Sequence, residues 1–179
     1  MKFEDKNKIS TPPRTAIEVF EMLPEGTMVE VIHNTIYMSP SPIYQHQKTV
    51  SKLFNLLFTF IEDNTLGDCI ISPIDVYFDD ENVFQPDIIF IAKENLKIVK
   101  EGKVKGSPDI AIEVLSGNKD FDLVMKKGVY ENFGVKEYFV VNHATKEVIT
   151  FYLEGSKFKE QEKKIGKLKS KLLKKVFSF

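Results

Sequence analysis

Two apolar segments of this chain each contain a carboxylate where a charged group is unusual. The segment QPDIIFI contains Asp87, and the segment SPDIAIEVLS contains Glu113 near its middle. Both segments have the length and the Ile and Val content of buried strands. Burying an ionised carboxylate is costly unless a cation or hydrogen-bond donors compensate it. A divalent metal held between the two strands would do so, which makes the chain a candidate metal-dependent hydrolase.

The metal ion that fits this pair of acids best is Mg²⁺, with Mn²⁺ as its substitute. A hard divalent cation takes oxygen ligands and often uses one or two protein carboxylates. We therefore predict Asp87, Glu113 and the backbone carbonyl of Val114 as ligands, with water completing the shell. Taken alone, Asp87 is better explained as a solvent-facing residue at a strand end. Asp109 follows Pro108 at its strand start, where we expect solvent, so its case is weaker.

The helix predicted after Glu113 adds a cation. Asp122, Lys126 and Tyr130 are spaced four residues apart and form one polar stripe. A lysine there could reach an attacking water or a phosphate oxygen. The alternative is a surface ion pair between Asp122 and Lys126. The opposite side of the helix is expected to pack on the sheet through Phe121, Val124, Met125, Val129 and Phe133.

Two further polar residues lie in otherwise apolar elements. His46 shares one face of a predicted helix with Val50, Leu53 and Leu57, so its ring should point toward the sheet. A lone histidine on an apolar face is more often structural than catalytic. Glu30, in the predicted strand TMVEVI, is ambiguous by itself.

The remaining pattern predicts an α/β chain with a central mixed sheet flanked by helices. Residues 1–13 read as a flexible leader, and residues 14–179 as a single domain with a basic C-terminal segment. A hairpin turn is expected at His33-Asn34, and Ser39-Pro40-Ser41-Pro42 should cap a helix over 43–62. A second long helix is predicted over 119–133 after a turn at 116–118, with Gly134 as its C-terminal cap.

Composition excludes several classes of protein. The single cysteine, Cys69, excludes an internal disulfide framework and fits a reducing cytoplasm, and no segment approaches membrane-spanning length. The net charge of −1 gives no whole-molecule attraction to nucleic acid. The segment 157–175, however, contains nine lysines and two glutamates. A lysine-rich run is more often a solvated face than a phosphate track, although interleaved leucines suggest that this one packs on the body.

These residues, in this order, resemble the Uma-type family of "putative restriction endonucleases" in the PD-(D/E)XK nuclease superfamily. The resemblance extends from GTMVEVIHNTIYMSPSPIYQHQKTV through QPDIIFI and SPDIAIEVLS to KDFDLVMKKGVYENFGVKEYFVVN. It implies a restriction-endonuclease-like core in which Asp87 is the PD aspartate and Glu113 the strand acid. Leu115 occupies the usual lysine position, and Lys126 matches the family's helix-borne lysine. Glu30 and His46 match additional acidic and histidine positions near the cleft.

The sequence departs from the family pattern at two positions. Gln85 stands where an arginine commonly precedes the Pro-Asp pair, and Phe139 replaces a common tryptophan. Gln85 is expected to weaken contacts with the substrate phosphate, and Phe139 is a conservative change in the core.

The resulting hypothesis is a cytoplasmic, Mg²⁺-dependent endonuclease that hydrolyses DNA. Its target would be selected through DNA shape, a partner protein or the second subunit of a homodimer, because the chain has little room for a separate domain that recognises DNA sequence. Two alternatives stay open: a catalytically inactive nuclease-fold module that binds nucleic acid or protein, and a nuclease acting on RNA or branched DNA.

Overall fold

The structure, a computed structural model, describes residues 12–115 and 121–179. The predictions for the leader up to residue 11, the turn at 116–118 and the helix start at 119–120 lie outside these ranges. Among the described helices, none is both long and apolar enough to cross a membrane.

Three α-helices and fifteen strands form the described part of the chain. The helices are α1 (Ala16–Glu21), α2 (Tyr44–Asp63) and α3 (Lys127–Asn132), with a 3₁₀ helix at Lys93–Ile98 and π-helical turns at Phe121–Lys126. The strands are β1 (Val29–Ile32), β2 (Thr35–Met38), β3 (Gly67–Ile71), β4 (Val76–Tyr77), β5 (Val83–Phe84), β6 (Ile88–Ala92), β7 (Val99–Lys100), β8 (Lys103–Lys105), β9 (Ile110–Val114), β10 (Glu137–Val141), β11 (Glu147–Glu154), β12 (Lys157–Glu160), β13 (Lys164–Ile165), β14 (Lys167–Ser170) and β15 (Lys175–Ser178).

The central sheet has the strand order β12-β11-β10-β9-β6-β3, with β13 paired to β11. Strands β9 and β10 run parallel, whereas β6 runs antiparallel to β9 and to β3. The predicted mixed sheet flanked by helices is therefore confirmed. A second sheet has the order β2-β1-β5-β4-β8-β7, and β14 and β15 form a separate hairpin.

The two faces of the central sheet bury different layers. On one face, α2 packs its apolar stripe against the even-numbered residues of β6 and β9, including Ile88, Ile110 and Ile112. On the other face, Ala111 and Leu115 pack with residues of α3, and Ile89 and Ile91 pack toward the second sheet. Strand alternation thus directs Glu113 toward α3 and puts Asp87, just before β6, on the same side of the sheet, although the first turn of α2 still reaches Asp87.

The predicted hairpin turn at His33-Asn34 and the predicted helix cap at Gly134 were both confirmed by their backbone conformations. His33 and Asn34 both have positive φ, at 47° and 55°, as a two-residue hairpin turn of this hand requires. Gly134 has a φ of 79°, and the following Val135 N–H donates to the Tyr130 carbonyl. This is the left-handed C-terminal cap expected after α3.

Three local predictions were wrong. Neither Ser39 nor Ser41 caps α2, because its N-cap is Ile43 and no side chain satisfies the first turn. The predicted helix over 119–133 is π-helical at Phe121–Lys126, and Val124, expected on the sheet, is 64% exposed. Asp109 is buried, not solvated: it accepts hydrogen bonds from Ala92 N–H and the Asn95 amide and pairs with Lys136.

The basic C-terminal segment is a packed part of the fold. Strands β12 and β13 extend the central sheet. The β14–β15 hairpin and its turn pack on the α2 side of that sheet through Leu168, Leu173 and Phe177. The interleaved apolar residues thus pack on the body as expected, except that Val176 is 46% exposed.

Candidate active site

Strand register places Asp87 and Glu113 side by side. Ile88 pairs with Ile112 and Ile89 with Ala111 in the antiparallel β6–β9 ladder. Continuing this register by one residue sets Asp87, which directly precedes β6, opposite Glu113. Directly opposed residues in such a ladder point to the same face, with Cβ atoms about 5 Å apart. Side-chain alternation assigned each acid to one face of its own strand. The register of the ladder puts both acids on the same face of the sheet.

Glu113 lies at the buried centre of the cluster. Its Oε1 accepts hydrogen bonds from Lys126 Nζ at 3.0 Å and from the Tyr130 hydroxyl at 2.7 Å. Burial raises the pKa of Glu113 well above its usual value, and the charge of Lys126 opposes this shift. The neighbouring carboxylates, Asp87 first, raise the pKa further. The ionised form of Glu113 is therefore destabilised, and any additional positive charge nearby would stabilise it.

Lys126 bridges carboxylates from three elements. Its Nζ lies 2.9 Å from Glu30 Oε1, 3.0 Å from Glu113 Oε1 and 3.9 Å from Asp122 Oδ1. Burial alone would lower the pKa of Lys126, but these carboxylates outweigh burial and raise it. Lys126 is therefore a permanent cation and hydrogen-bond donor, not a base. All four side chains are buried, so the surface ion pair considered for Asp122 and Lys126 is wrong.

Glu30 connects the second sheet to this cluster. Its Oε1 accepts both the Lys126 ammonium and the backbone N–H of Gln85, the latter at 2.8 Å. The Gln85 side chain in turn donates to the Thr27 carbonyl at 3.0 Å and to Asp75 Oδ1 at 2.8 Å. Gln85, at the position where the resemblance led us to expect an arginine, therefore links β5 to neighbouring segments and adds no positive charge.

His46, at the start of α2, reaches Asp87 from the other side. Its Nε2 lies 3.3 Å from Asp87 Oδ2, and the Val114 N–H donates to the same oxygen at 2.7 Å. Burial lowers the pKa of His46, but the hydrogen bond and charge of Asp87 together reverse this effect and raise it. The helix thus turns its only histidine inward, as its apolar spacing predicted.

Asp122 is a site residue that the sequence indicated only through its spacing to Lys126. It is 5% exposed, and burial raises its pKa to about 6. The Tyr138 hydroxyl donates to the Asp122 carbonyl at 2.9 Å and fixes the π-helical turns over the sheet. His143, just after β10, also borders the site, and no pattern in the sequence pointed to it.

All five predicted side chains line one cavity of about 690 Å³, together with Val114 and Asp122. Its four carboxylates, Glu30, Asp87, Glu113 and Asp122, face a single lysine. If all four carboxylates are ionised and His46 is protonated, the cluster has two negative charges in excess. A divalent cation is the simplest compensation for such an excess.

The free carboxylate oxygens decide whether a metal ion fits. Within the described residues, the hydrogen bonds to Glu113 all go to Oε1 and the side-chain contacts of Asp87 all go to Oδ2. Glu113 Oε2 and Asp87 Oδ1 are left for a ligand, and two carboxylate oxygens suit a hard cation such as Mg²⁺. Over the same ranges, no three His, Cys, Asp or Glu side chains form a preassembled metal site. An ion would therefore also need the Val114 carbonyl and water.

Comparison with known proteins identifies the family and the fold of the chain. A model of the Uma2 family, described as "Putative restriction endonuclease", matches residues 17–173. A crystal structure from Anabaena variabilis ATCC 29413, described as a "putative nuclease belonging to DUF820", superposes with a TM-score of 0.68 at 16% sequence identity. The match covers 85% of this chain and 83% of that chain, so the two share the same fold. No curated protein matches the chain.

Proposed function

The chain belongs to the Uma2 family of restriction-endonuclease-like nucleases, and we propose that it is a Mg²⁺-dependent endonuclease acting on DNA. We take residues 14–179 as its single nuclease domain. The observation that supports this proposal is the pairing of Asp87 with Glu113 in an open cavity where carboxylates outnumber cations.

The proposed metal ligands are Asp87, Glu113 and the Val114 carbonyl. When bound, Mg²⁺ or Mn²⁺ would polarise the scissile phosphate and lower the pKa of a coordinated water. Both carboxylates line the cavity, and the contacts described above use only one oxygen of each.

Lys126 has the role of a fixed positive charge. Because its pKa is raised, it keeps its protons and can offset charge that develops on the phosphate or donate to the attacking water. Glu30 and the Tyr130 hydroxyl hold Lys126 and Glu113 in place. His46 holds Asp87 and lines the same cavity.

Cleavage of DNA under Mg²⁺ tests this proposal, assayed on both a plasmid and a single-stranded circular DNA, with Glu113→Gln as the active-site variant and Glu137→Gln as its control. Both residues are buried glutamates of the central sheet, but Glu137 holds the Leu172 N–H, away from the cavity. We expect Glu113→Gln to abolish cleavage and Glu137→Gln to retain it. Cleavage by Glu113→Gln at the wild-type rate would refute the catalytic assignment.

A binding module without turnover is the second candidate. It is favoured by the neutral Gln85 in place of an arginine and by the lack of three preassembled side-chain ligands in the described ranges. Thermal melting separates the two candidates, because a ligand that binds the folded state raises Tm. The nuclease should melt at a higher temperature with Mg²⁺ and lose this shift in Asp87→Asn; a module without a metal site should show no shift.

A further inference from the structure

Large apolar side chains are exposed at one edge of the active-site cavity. Met38 is 79% exposed, Ile43 58% and Tyr44 73%. Met38 and Ile43 line the cavity, and Tyr44 directly follows Ile43 as the first residue of α2. Isolated exposed hydrophobic residues are ordinary, but two that line a cavity, with an exposed aromatic residue next in sequence, point to a binding surface.

The outward face of α2 continues from this edge with positive charge. Tyr44, Lys48 and Lys52 are exposed and spaced four residues apart, so they follow one another along the helix in steps of about 6 Å. Between Tyr44 and Ile61 the helix contains these two lysines and no acidic residue. An aromatic residue followed by a track of lysines is the combination that binds unpaired nucleic-acid strands.

The cavity itself is poorly suited to the phosphates of a duplex. Among the described residues that line it, Lys126 is the only lysine or arginine, and it is already surrounded by carboxylates. Duplex binding relies on many lysine and arginine contacts to phosphates. A cavity of about 690 Å³ with apolar walls instead has the size and character of a small-molecule site, which suits a single nucleotide better than a rigid double helix.

We propose that the substrate is presented as an unpaired DNA strand: Tyr44, with Ile43 and Met38, stacks a base beside the cavity, and the strand continues along α2 over Lys48 and Lys52. This inference rests on the proposed nuclease function and specifies the class of DNA that it cuts. Single-stranded DNA, flaps and frayed ends would be substrates, and a fully paired duplex would be a poor one.

Binding of a short deoxyoligonucleotide containing 2-aminopurine tests the stacking step without requiring cleavage. The titration is done with the full chain in EDTA, and stacking is read from the quenching of 2-aminopurine fluorescence. Tyr44→Ala should lose the quenching and about ten-fold in affinity, the scale expected for one base stacked on an aromatic ring. Tyr44→Phe keeps the ring and should behave like wild type.

The lysine track is tested with matched charge reversals. Lys48→Glu with Lys52→Glu should weaken binding of the same oligonucleotide and reduce its dependence on salt. Lys97→Glu with Lys100→Glu is the control, because these exposed lysines lie on or beside β7, at the far edge of the second sheet. An equal loss of affinity in both double variants would show that the strand does not follow Lys48 and Lys52.

Three further outcomes would overturn the inference. One is duplex binding at least as tight as binding of the same sequence unpaired. The second is unchanged quenching in Tyr44→Ala. The third is dimerisation of the wild type that Tyr44→Ala abolishes, because the apolar edge would then be covered by a second copy of the chain. These results are distinct from failure of the proposed function, which appears as wild-type cleavage by Glu113→Gln whatever the form of the DNA.

Discussion

Replacing Lys126 by Met tests the electrostatic account of the buried cluster. The ammonium makes two charge-assisted hydrogen bonds, to Glu30 at 2.9 Å and to Glu113 at 3.0 Å. Each such bond contributes about 1.5–3 kcal/mol, and removing one partner of a buried ion pair costs about 3–5 kcal/mol. We therefore expect Lys126→Met to lower the free energy of unfolding by about 3–5 kcal/mol at neutral pH.

The loss should depend on pH in a defined direction. Without Lys126 the buried carboxylates lose the charge that opposes their raised pKa values, so they bind protons more readily in the folded state than in the unfolded state. A carboxylate with a raised folded-state pKa loses stability as pH rises, so the cost should grow between about pH 5 and pH 8.

Urea denaturation in EDTA measures this cost, and Lys127→Met is the matched control. The Lys127 ammonium lies 4.8 Å from the Phe151 ring centroid and makes no ion pair in the described part of the chain, so its loss should cost about 1 kcal/mol or less. If Lys126→Met costs no more than Lys127→Met, the cluster is not held together by its lysine and the reasoning is refuted.

Three further variants or reactions test separate parts of the structure. Tyr130→Phe removes the 2.7 Å hydrogen bond to Glu113 and should cost about 1.5–3 kcal/mol in urea denaturation; an unchanged midpoint would contradict this contact. Burial raises the pKa of Cys69 to about 12, so its thiol should react with a labelling reagent at neutral pH far more slowly in the native protein than in denaturant, and equal rates would show that it is accessible. Burial also raises the pKa of Glu137, whose buried Oε2 has no hydrogen-bond partner within residues 12–115 and 121–179. Wild-type stability should therefore fall as pH rises above the usual carboxyl pKa, and Glu137→Gln, which does not titrate, should remove that part of the pH dependence and gain about 1 kcal/mol near pH 8. A steeper slope in Glu137→Gln would reverse the assignment.

The sequence predicted the elements in which local chemistry and burial agree. The His33-Asn34 turn, the inward stripe of α2 and the apolar strands around Asp87 and Glu113 all follow from turn preferences and periodicity. Each of these segments has one dominant signal, and no tertiary contact opposes it.

The helix that bears Lys126 is where periodicity failed. Its polar stripe was expected to lie opposite the sheet, yet Asp122, Lys126 and Tyr130 point inward and Val124 points to solvent. Polar residues are buried there because they belong to one charged cluster, and sequence patterns commonly fail at functional sites for this reason. A π-helical backbone also shifts the spacing on which the expectation depended.

The β6–β9 register could not be predicted from either strand alone. Whether Asp87 and Glu113 meet depends on how the two strands align, and a slip of one residue would send one acid to the opposite face. The short strands β5, β7 and β8 were missed for a related reason, since two or three residues contain too little periodicity to distinguish a strand from a loop.

Anomalous diffraction from crystals soaked in Mn²⁺ tests the central claim most directly. We predict one peak between Asp87 and Glu113, bonded to an oxygen of each carboxylate at about 2–2.4 Å, and its absence from crystals of Asp87→Asn. A peak bound elsewhere, or an empty cavity in wild-type crystals at saturating Mn²⁺, would contradict the account of this site as a metal centre.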